Sequence, residues 1–329
     1  MSRAGKGNTL NSTLLEEAQL LALLRCPVCR RGALTANDTQ LVCGTCQQCF
    51  PLAGHRPILL RDDNALFCSD DYRNAVPDKK TGSHGWARFV PNPSVNLASD
   101  RVLKKLRSML DANGTSNILV VGGGRQRVWL DPLLRAVHPH RVVYSDIDSG
   151  ADVDLFCDGH DLPFADRAFD AVVTTAVLEH VLYPERVAAE VARVLKTGGL
   201  VYSEMPFMQQ VHEGAYDFTR YTFSGHRRLL NHFAEIDAGL VAGPATAFVW
   251  ALENLVLAFF SRPAIRKVAK AGVRLGFGWI KYLDYLLANR PEAMDGASCT
   301  YFMGAKDDLR ISDSEIIARY VGAKHLHHV

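Results

Sequence analysis

Between residues 118 and 203 the chain repeats one pattern: a short run of β-branched and aliphatic residues, an abrupt stop at glycine or a small acid, then a stretch that suits a helix. Ile118–Val121 is stopped by three glycines and Arg141–Tyr144 by Ser145-Asp146. A weaker run covers Asp152–Phe156, and Ala171–Thr174 and Leu200–Ser203 complete the set. Glu185–Leu195 has Val187, Val191, Val194 and Leu195 on one helical face, with Gly198-Gly199 beyond it. Strands that are apolar at nearly every position, alternating with helices, belong to a mostly parallel sheet covered on both faces. Ile236–Val241 and Cys299–Gly304 supply a sixth and a seventh strand. The expected fold class is α/β, a Rossmann-like seven-stranded sheet with an insertion before its last strand.

Around this sheet the composition shifts. Asp100–Leu110 places Val102, Leu103, Leu106 and Leu110 at helical spacing. Residues 61–97 are rich in Asp, Asn, Pro and Gly and read as a linker. Residues 1–60 are expected to form a zinc-ribbon domain with a leading helix at Leu14–Leu24, residues 98–310 the sheet domain, and 311–329 a tail. The segment 245–290 mixes Phe248, Trp250, Leu252, Leu255, Phe259, Phe260, Trp279 and Tyr282 with Arg262, Arg266, Lys267, Lys270 and Arg274. It is expected to be a helical lid packed on the sheet; the alternative is a helical surface lying on a membrane, apolar side down. The N-terminal residues lack an apolar signal core, and no uncharged apolar run is long enough to span a bilayer, so a cytoplasmic protein is expected. A net charge of +2 argues against nucleic acid covering much of the surface.

Cys26-x2-Cys29 and Cys43-x2-Cys46 are two CxxC pairs at a spacing that lets four thiolates converge on one ion. Zinc suits four sulfur ligands in such a closed, structural site. Cys49 creates a third CxxC with Cys46 and is an alternative to it. The stretch LLALLRCPVCRRGAL…LVCGTCQQCFPLAGHRPILL resembles the small zinc ribbon of the activator subunit shared by tRNA and rRNA methyltransferases, with Gly54-His55 where that family has Asp-Gly. The resemblance implies an unidentified protein partner for the ribbon.

The order of pieces from 116 to 206 resembles a class I S-adenosylmethionine-dependent methyltransferase of the type 11 group. Those pieces are the glycine turn, Asp146 at a strand end, Asp158 before Leu162-Pro163-Phe164, Phe169-Asp170, Leu178-Glu179-His180, and Arg193-Val194-Leu195-Lys196 before Gly198-Gly199. The resemblance implies S-adenosylmethionine as cofactor. Gly122, Gly123 and Gly124 would pass its amino-acid part, Asp146 with Ile147 its ribose, and Asp158 with Gly159 its adenine. Val120 stands where the family often has an acid, and Gln126 replaces the last glycine of the turn.

Methyl transfer also needs an acceptor held in line and often a base. His180 follows the fourth strand. Met205–Thr222 packs His212, Asp217 and Arg220 among aromatic residues, and its Pro-Phe…His-Glu…Asp-Phe…Arg-Tyr-Thr run resembles one in bacterial methyltransferases of surface-polysaccharide synthesis. His180, His212, Asp217 and Arg220 are therefore the candidate catalytic residues, and the expected acceptor is a hydroxyl on a small molecule or glycan, including a lipid-linked one. The alternatives are an rRNA or tRNA methyltransferase, since some of these also carry a zinc ribbon, and a non-catalytic scaffold of the same fold.

Overall fold

The structure, a computed structural model, describes residues 18–37, 39–76, 90–114, 116–135, 140–307 and 310–323. Its centre is a seven-stranded sheet. In chain order the strands are β5 (Asn117–Val121), β6 (Arg141–Asp146), β7 (Leu155–Phe156), β8 (Phe169–Thr175), β9 (Leu195–Pro206), β10 (Phe233–Ala242) and β11 (Cys299–Lys306). In space the order is β10-β11-β9-β8-β5-β6-β7. The pairs β5–β6, β5–β8, β6–β7 and β8–β9 are parallel, whereas β11 runs antiparallel to both neighbours. This is a Rossmann-like, mostly parallel sheet.

Alternation along the strands assigns the two faces. Ile118 and Val120 enter one core with Val142, Tyr144, Val173 and Tyr202. There they meet Val102, Leu103, Leu106 and Leu110 of α1 (Ser99–Asp111) and Leu130 and Leu134 of α2 (Arg127–Leu134). Leu119 and Val121 enter the other core, against Val187, Val191 and Val194 of α3 (Pro184–Val194). Both faces are dry, which is why these strands carry apolar residues at successive positions.

The cysteine-rich segment forms its own antiparallel sheet, β1 (Leu34–Ala36), β2 (Gln40–Cys43), β3 (Cys49–Ala53) and β4 (Arg56–Pro57). It is not a detached bead. Leu34, Leu41 and Phe50 lie in the same core as Phe164, Leu162 and Val187. Leu24 bridges to Phe164 and Ile58 to Phe156, with Leu59 N–H donating to the Phe156 carbonyl at 2.8 Å. Residues 18–23 of the expected leading helix are helical, while 14–17 lie outside the described residues.

Two expectations need correction. In the stretch read as a linker, residues 61–76 are packed onto the carboxyl end of the sheet and include a 3-10 turn at Ser69–Tyr72, while 77–89 lie outside the described residues. Its many polar residues serve as hydrogen-bond partners of the sheet edge. Helix α4 (Phe223–Leu229) precedes β10, and the insertion between β10 and β11 is helical, with α5 (Pro244–Ala258) and α6 (Pro263–Phe277). It is not an apolar lid buried on the sheet, however. Phe259, Val268 and Leu286 are 78%, 74% and 76% exposed, and Phe248, Leu255, Trp279 and Tyr285 are also exposed. Its base is anchored instead by Asp284, whose buried carboxylate accepts from the N–H groups of Gly243, Ala245 and Thr246 at 2.9–3.0 Å, at the start of α5. The tail contains a short helix, Asp313–Ala318, with a Ser312–Glu315 capping box, and residues 324–329 lie outside the described residues.

Candidate functional site

The four predicted cysteines come together. One sulfur each from Cys26, Cys29, Cys43 and Cys46 lies within 4.8 Å of the others, and none is in a disulfide. Each knuckle bends in the same way: Arg30 and Gln47, directly after the second cysteine of each pair, take left-handed φ values of 58° and 60°. Backbone N–H groups then point at sulfur, from Gly32 to Cys29 at 3.3 Å and from Thr45 and Cys46 to Cys43 at 3.4 Å. The amides of Arg31 and Gly32 pull the Cys29 pKa down to about 6, which favours the thiolate a metal requires. Gly32 has to lack a side chain, since a Cβ there would fall 2.1 Å from the Cys43 sulfur. Cys49 is exposed and stands outside the cluster. The donor set fits zinc.

A second site lies at the carboxyl ends of the parallel strands. Gly122 turns the chain out of β5 at φ 67°. A Cβ at Gly123 would meet Val120 at 2.1 Å, and one at Gly124 would meet Ala151 at 2.5 Å. Val120 therefore fills the hollow beneath the turn. Gln126 is tied to Thr175 at the end of β8, its amide donating to the carbonyl at 3.1 Å and its carbonyl oxygen accepting from the hydroxyl. Asp146 faces the turn, accepting from Gly124 N–H at 3.2 Å, Ile147 N–H at 2.7 Å and Asp148 N–H at 3.1 Å. Burial raises its pKa against the pull of those amides. Asp158 is also partly buried, but its pKa is lowered because the His160 side chain and backbone, together with Asn64, outweigh the desolvation. Gly159 has only ordinary contacts at its Cβ position. A carboxylate at a strand end opposite a glycine turn, with a second one beyond, is a donor and acceptor set that fits an adenosine-bearing cofactor.

Three partners of this edge carry no sequence signal. Asn64 donates to Asp158 at 2.8 Å, Tyr72 donates to the Ile147 carbonyl at 2.7 Å, and Phe67 stacks on Tyr216 with 6.3 Å between ring centroids. All three come from the stretch expected to be a linker.

Beyond β8 and β9 the predicted acceptor residues divide into two groups. His180 and His212 meet directly, ring against ring. His180 donates from Nδ1 to the Tyr216 carbonyl at 2.7 Å, and burial lowers its pKa. Asp217 and Arg220 instead hold the loop. Asp217 is nearly fully buried and accepts from both guanidinium nitrogens of Arg220 and from His212 N–H at 2.9 Å. Burial would raise its pKa, but Arg220 and these amides bring it to about 2. Arg220 also donates to the carbonyls of Gln209, Gln210 and Thr219. Glu179 is a residue the sequence reading passed over, although the Leu178-Glu179-His180 motif contains it. It is fully buried, and desolvation pushes its carboxyl up to about 8. Next to this loop is an open cavity of about 840 Å3, lined mainly by apolar groups including Phe207, Phe218, Pro244 and Phe248, with Asp217 and Arg220 on its wall.

Residues 121–203 match the family model Methyltransf_11, described as "Methyltransferase domain". This segment runs from the end of β5 into β9 and contains the glycine turn, Asp146, Asp158, Glu179 and His180. The chain thus carries a methyltransferase domain within a Rossmann-like fold, together with a four-cysteine cluster. No curated protein matches it in sequence. Among solved structures, the [4+2]-cyclase SpnF is 17% identical, with 64% of this chain and 81% of that one covered and a TM-score of 0.40. A chain of the complex between the Haloferax volcanii Trm112 methyltransferase activator and a methyltransferase is 16% identical over 65% and 97%, with a TM-score of 0.39. The 1,6-didemethyltoxoflavin-N1-methyltransferase of Burkholderia thailandensis, solved with bound 1,6-didemethyltoxoflavin and S-adenosylhomocysteine, is 15% identical over 64% and 80%, with a TM-score of 0.37.

Proposed function

We propose that this protein is an S-adenosylmethionine-dependent methyltransferase that acts on a hydroxyl of a lipid-linked glycan or similar amphiphile at an anionic membrane surface. The observation that carries the reading is the glycine turn opposed to Asp146 inside the segment that matches a methyltransferase domain. Gly122, Gly123 and Gly124 would lie along the amino-acid part of the cofactor. Asp146, with Ile147 beside it, would accept from ribose hydroxyls, and Asp158, with Gly159, from the adenine amino group. When bound, the cofactor supplies an electrophilic methyl group on sulfur. His180, with Nδ1 committed to a carbonyl, would form one wall of the acceptor pocket. His212 forms the other wall, and Asp217 and Arg220 keep its loop in place. The four cysteines would hold a structural zinc ion, and the ribbon's Leu34, Leu41 and Phe50 share a core with the chain's own Phe164 and Val187.

The insertion supports the membrane part of this reading. Within residues 245–290 the two acids, Glu253 and Asp284, are both buried, and the exposed charged residues of that stretch are cations, including Arg262, Arg266 and Lys267; the exposed acids Glu292 and Asp295 follow it. An exposed apolar face with a basic flank suits an anionic lipid surface. No helix among the described residues is long and apolar enough to cross a membrane. Pro244, Ala247 and Phe248 of α5 line both the insertion's base and the cavity, which would place an acceptor beneath the lipid-facing surface.

The decisive experiment is transfer of labelled methyl from S-adenosylmethionine into cell extract, fractionated into lipid, glycan, RNA and protein. Label in the lipid-linked fraction is expected; label in RNA would transfer the assignment to the RNA alternative. Failure to bind S-adenosylhomocysteine in calorimetry at millimolar concentration would favour a scaffold. The protein should float with vesicles containing phosphatidylglycerol and should do so less after Phe259→Ser with Trp279→Ser. Protein left in solution would end the membrane reading.

A further inference from the structure

Glu179 is a buried acid whose side chain stands without a hydrogen bond among the described residues. It follows β8 in the short turn Leu178–His180, and its exposure is 0%. Burying a carboxyl group without a partner is unfavourable even when it is neutral, and more so when it is ionised. The backbone leads into this turn through Ala176, a non-glycine residue at φ 54°, a conformation that is retained only where the surroundings enforce it.

Two imidazole nitrogens converge on Glu179. Its Oε1 lies 3.6 Å from His180 Nε2. His180 Nδ1 donates to the Tyr216 carbonyl, so in the neutral ring Nε2 carries the lone pair. His212 repeats the arrangement: its Nδ1 lies 3.2 Å from the Gln210 carbonyl and 3.5 Å from Asp217 Oδ2, which leaves Nε2 as its acceptor atom. One ligand atom from each of Glu179, His180 and His212 lies within 4.8 Å of the other two. Imidazoles whose second nitrogen is fixed by a carbonyl or carboxylate are the usual arrangement around a bound metal.

We propose that Glu179, His180 and His212 form a binding site for one divalent first-row transition cation, distinct from the four-cysteine site. Two imidazoles and one carboxylate suit Mn2+, Fe2+, Co2+ or Zn2+ and leave coordination positions open for other ligands. The cation neutralises the carboxylate that the fold leaves without a partner. The loop held by Asp217 and Arg220 brings in the third ligand, so the site exists only when that loop is folded. Where the loop is read as the acceptor site, a hydroxyl placed on this cation would be more acidic than in water; that consequence rests on the functional reading above, whereas the binding does not.

Mn2+ is the discriminating probe, because a hard ion takes carboxylate and imidazole but does not compete for four thiolates. The full-length, zinc-loaded protein is titrated with Mn2+, and free Mn2+ is read by electron paramagnetic resonance. One equivalent bound per chain is expected. Glu179→Gln and His212→Ala should each weaken binding at least tenfold. Retention of the ribbon's zinc and of S-adenosylhomocysteine binding verifies that each variant is folded. Should Glu179→Gln fail to fold, His212→Ala, altered in an open loop, decides alone. No bound Mn2+ at millimolar concentration, or binding unchanged in His212→Ala, overturns the proposal. A protein that binds Mn2+ but transfers no methyl group would keep the cation site and lose the functional reading.

Discussion

The imidazoles of His180 and His212 meet edge to face, with 4.9 Å between ring centroids. One follows β8 and the other lies in the loop after β9, so their contact depends on that loop folding back across the strand ends. Asp217 enforces the fold by binding the His212 amide while it is itself held in a two-point ion pair with Arg220.

Removing Arg220 should therefore act through position. Arg220→Ala leaves Asp217 buried without its cation, at a cost of about 2–3 kcal/mol once the partial exposure of Arg220 is allowed for. Methyl transfer should fall at least tenfold while S-adenosylhomocysteine affinity in calorimetry stays within twofold. Arg220→Lys, which keeps the charge and loses the fork, should recover part of the rate. A rate unaffected by Arg220→Ala would show that the loop does not need the pair.

At the glycine turn, Asp146→Ala should weaken S-adenosylhomocysteine binding at least tenfold, because it removes the carboxylate proposed to accept from the ribose as well as the partner of the Gly124 amide. Gly124→Ala places a methyl group 2.5 Å from Ala151, and should lower stability by about 1–3 kcal/mol as well as affinity. Equal dissociation constants for wild type and Asp146→Ala would exclude this residue from the cofactor site.

The cysteine cluster predicts a pair of opposite results. Cys46→Ser should lose tightly held zinc in atomic emission analysis, whereas Cys49→Ser should retain it. Because the ribbon shares a core with Phe164 and Val187, zinc loss should destabilise the whole chain by about 3 kcal/mol or more, seen as a lower melting temperature for the full transition and not as a separate early step.

His226 makes stability depend on pH. It is fully buried between the hydroxyls of Thr300 at 3.2 Å and Ser203 at 3.1 Å, and burial drives its pKa from 6.5 down to about 3. Above pH 6.5 both states are neutral at this position and nothing is lost. Between 6.5 and 3 only the unfolded chain takes up the proton, so stability falls with falling pH by about 1.4 kcal/mol per unit from this residue. Urea unfolding of wild type and His226→Gln at pH 7, 6 and 5 isolates that slope. Parallel profiles would mean that His226 titrates normally in the folded protein.

Asp284→Ala tests how the insertion is attached. It leaves three buried N–H groups at the start of α5 without their acceptor, which should cost about 3 kcal/mol and make 245–290 the first region cut in limited proteolysis. Cleavage at an unchanged rate would mean that Trp250 and Lys281, bonded to Ser94 and Asn92, are sufficient anchors.

Periodicity and stop signals determined a great deal. The apolar runs at 118–121, 141–144, 171–174 and 200–203 all lie in strands, and the four predicted apolar positions of α1 are buried, because a strand with both faces covered and a helix with one apolar stripe leave different spacings in sequence. Two CxxC pairs were enough to bring together Cys26, Cys29, Cys43 and Cys46, since each knuckle is a local turn. Tertiary structure alone decided the rest. Whether Phe259 and Trp279 face a core or solvent depends on what the helix meets, which their spacing does not contain. Asn64 and Tyr72 lie in a stretch whose polarity suits a linker equally well, and their partners Asp158 and Ile147 are remote in sequence. Glu179 looks in sequence like any acid beside a histidine. Only the packing around β8 removes its water and gives it His180 and His212 as neighbours, because desolvation and convergence are properties of the folded chain and leave no mark on the order of its residues.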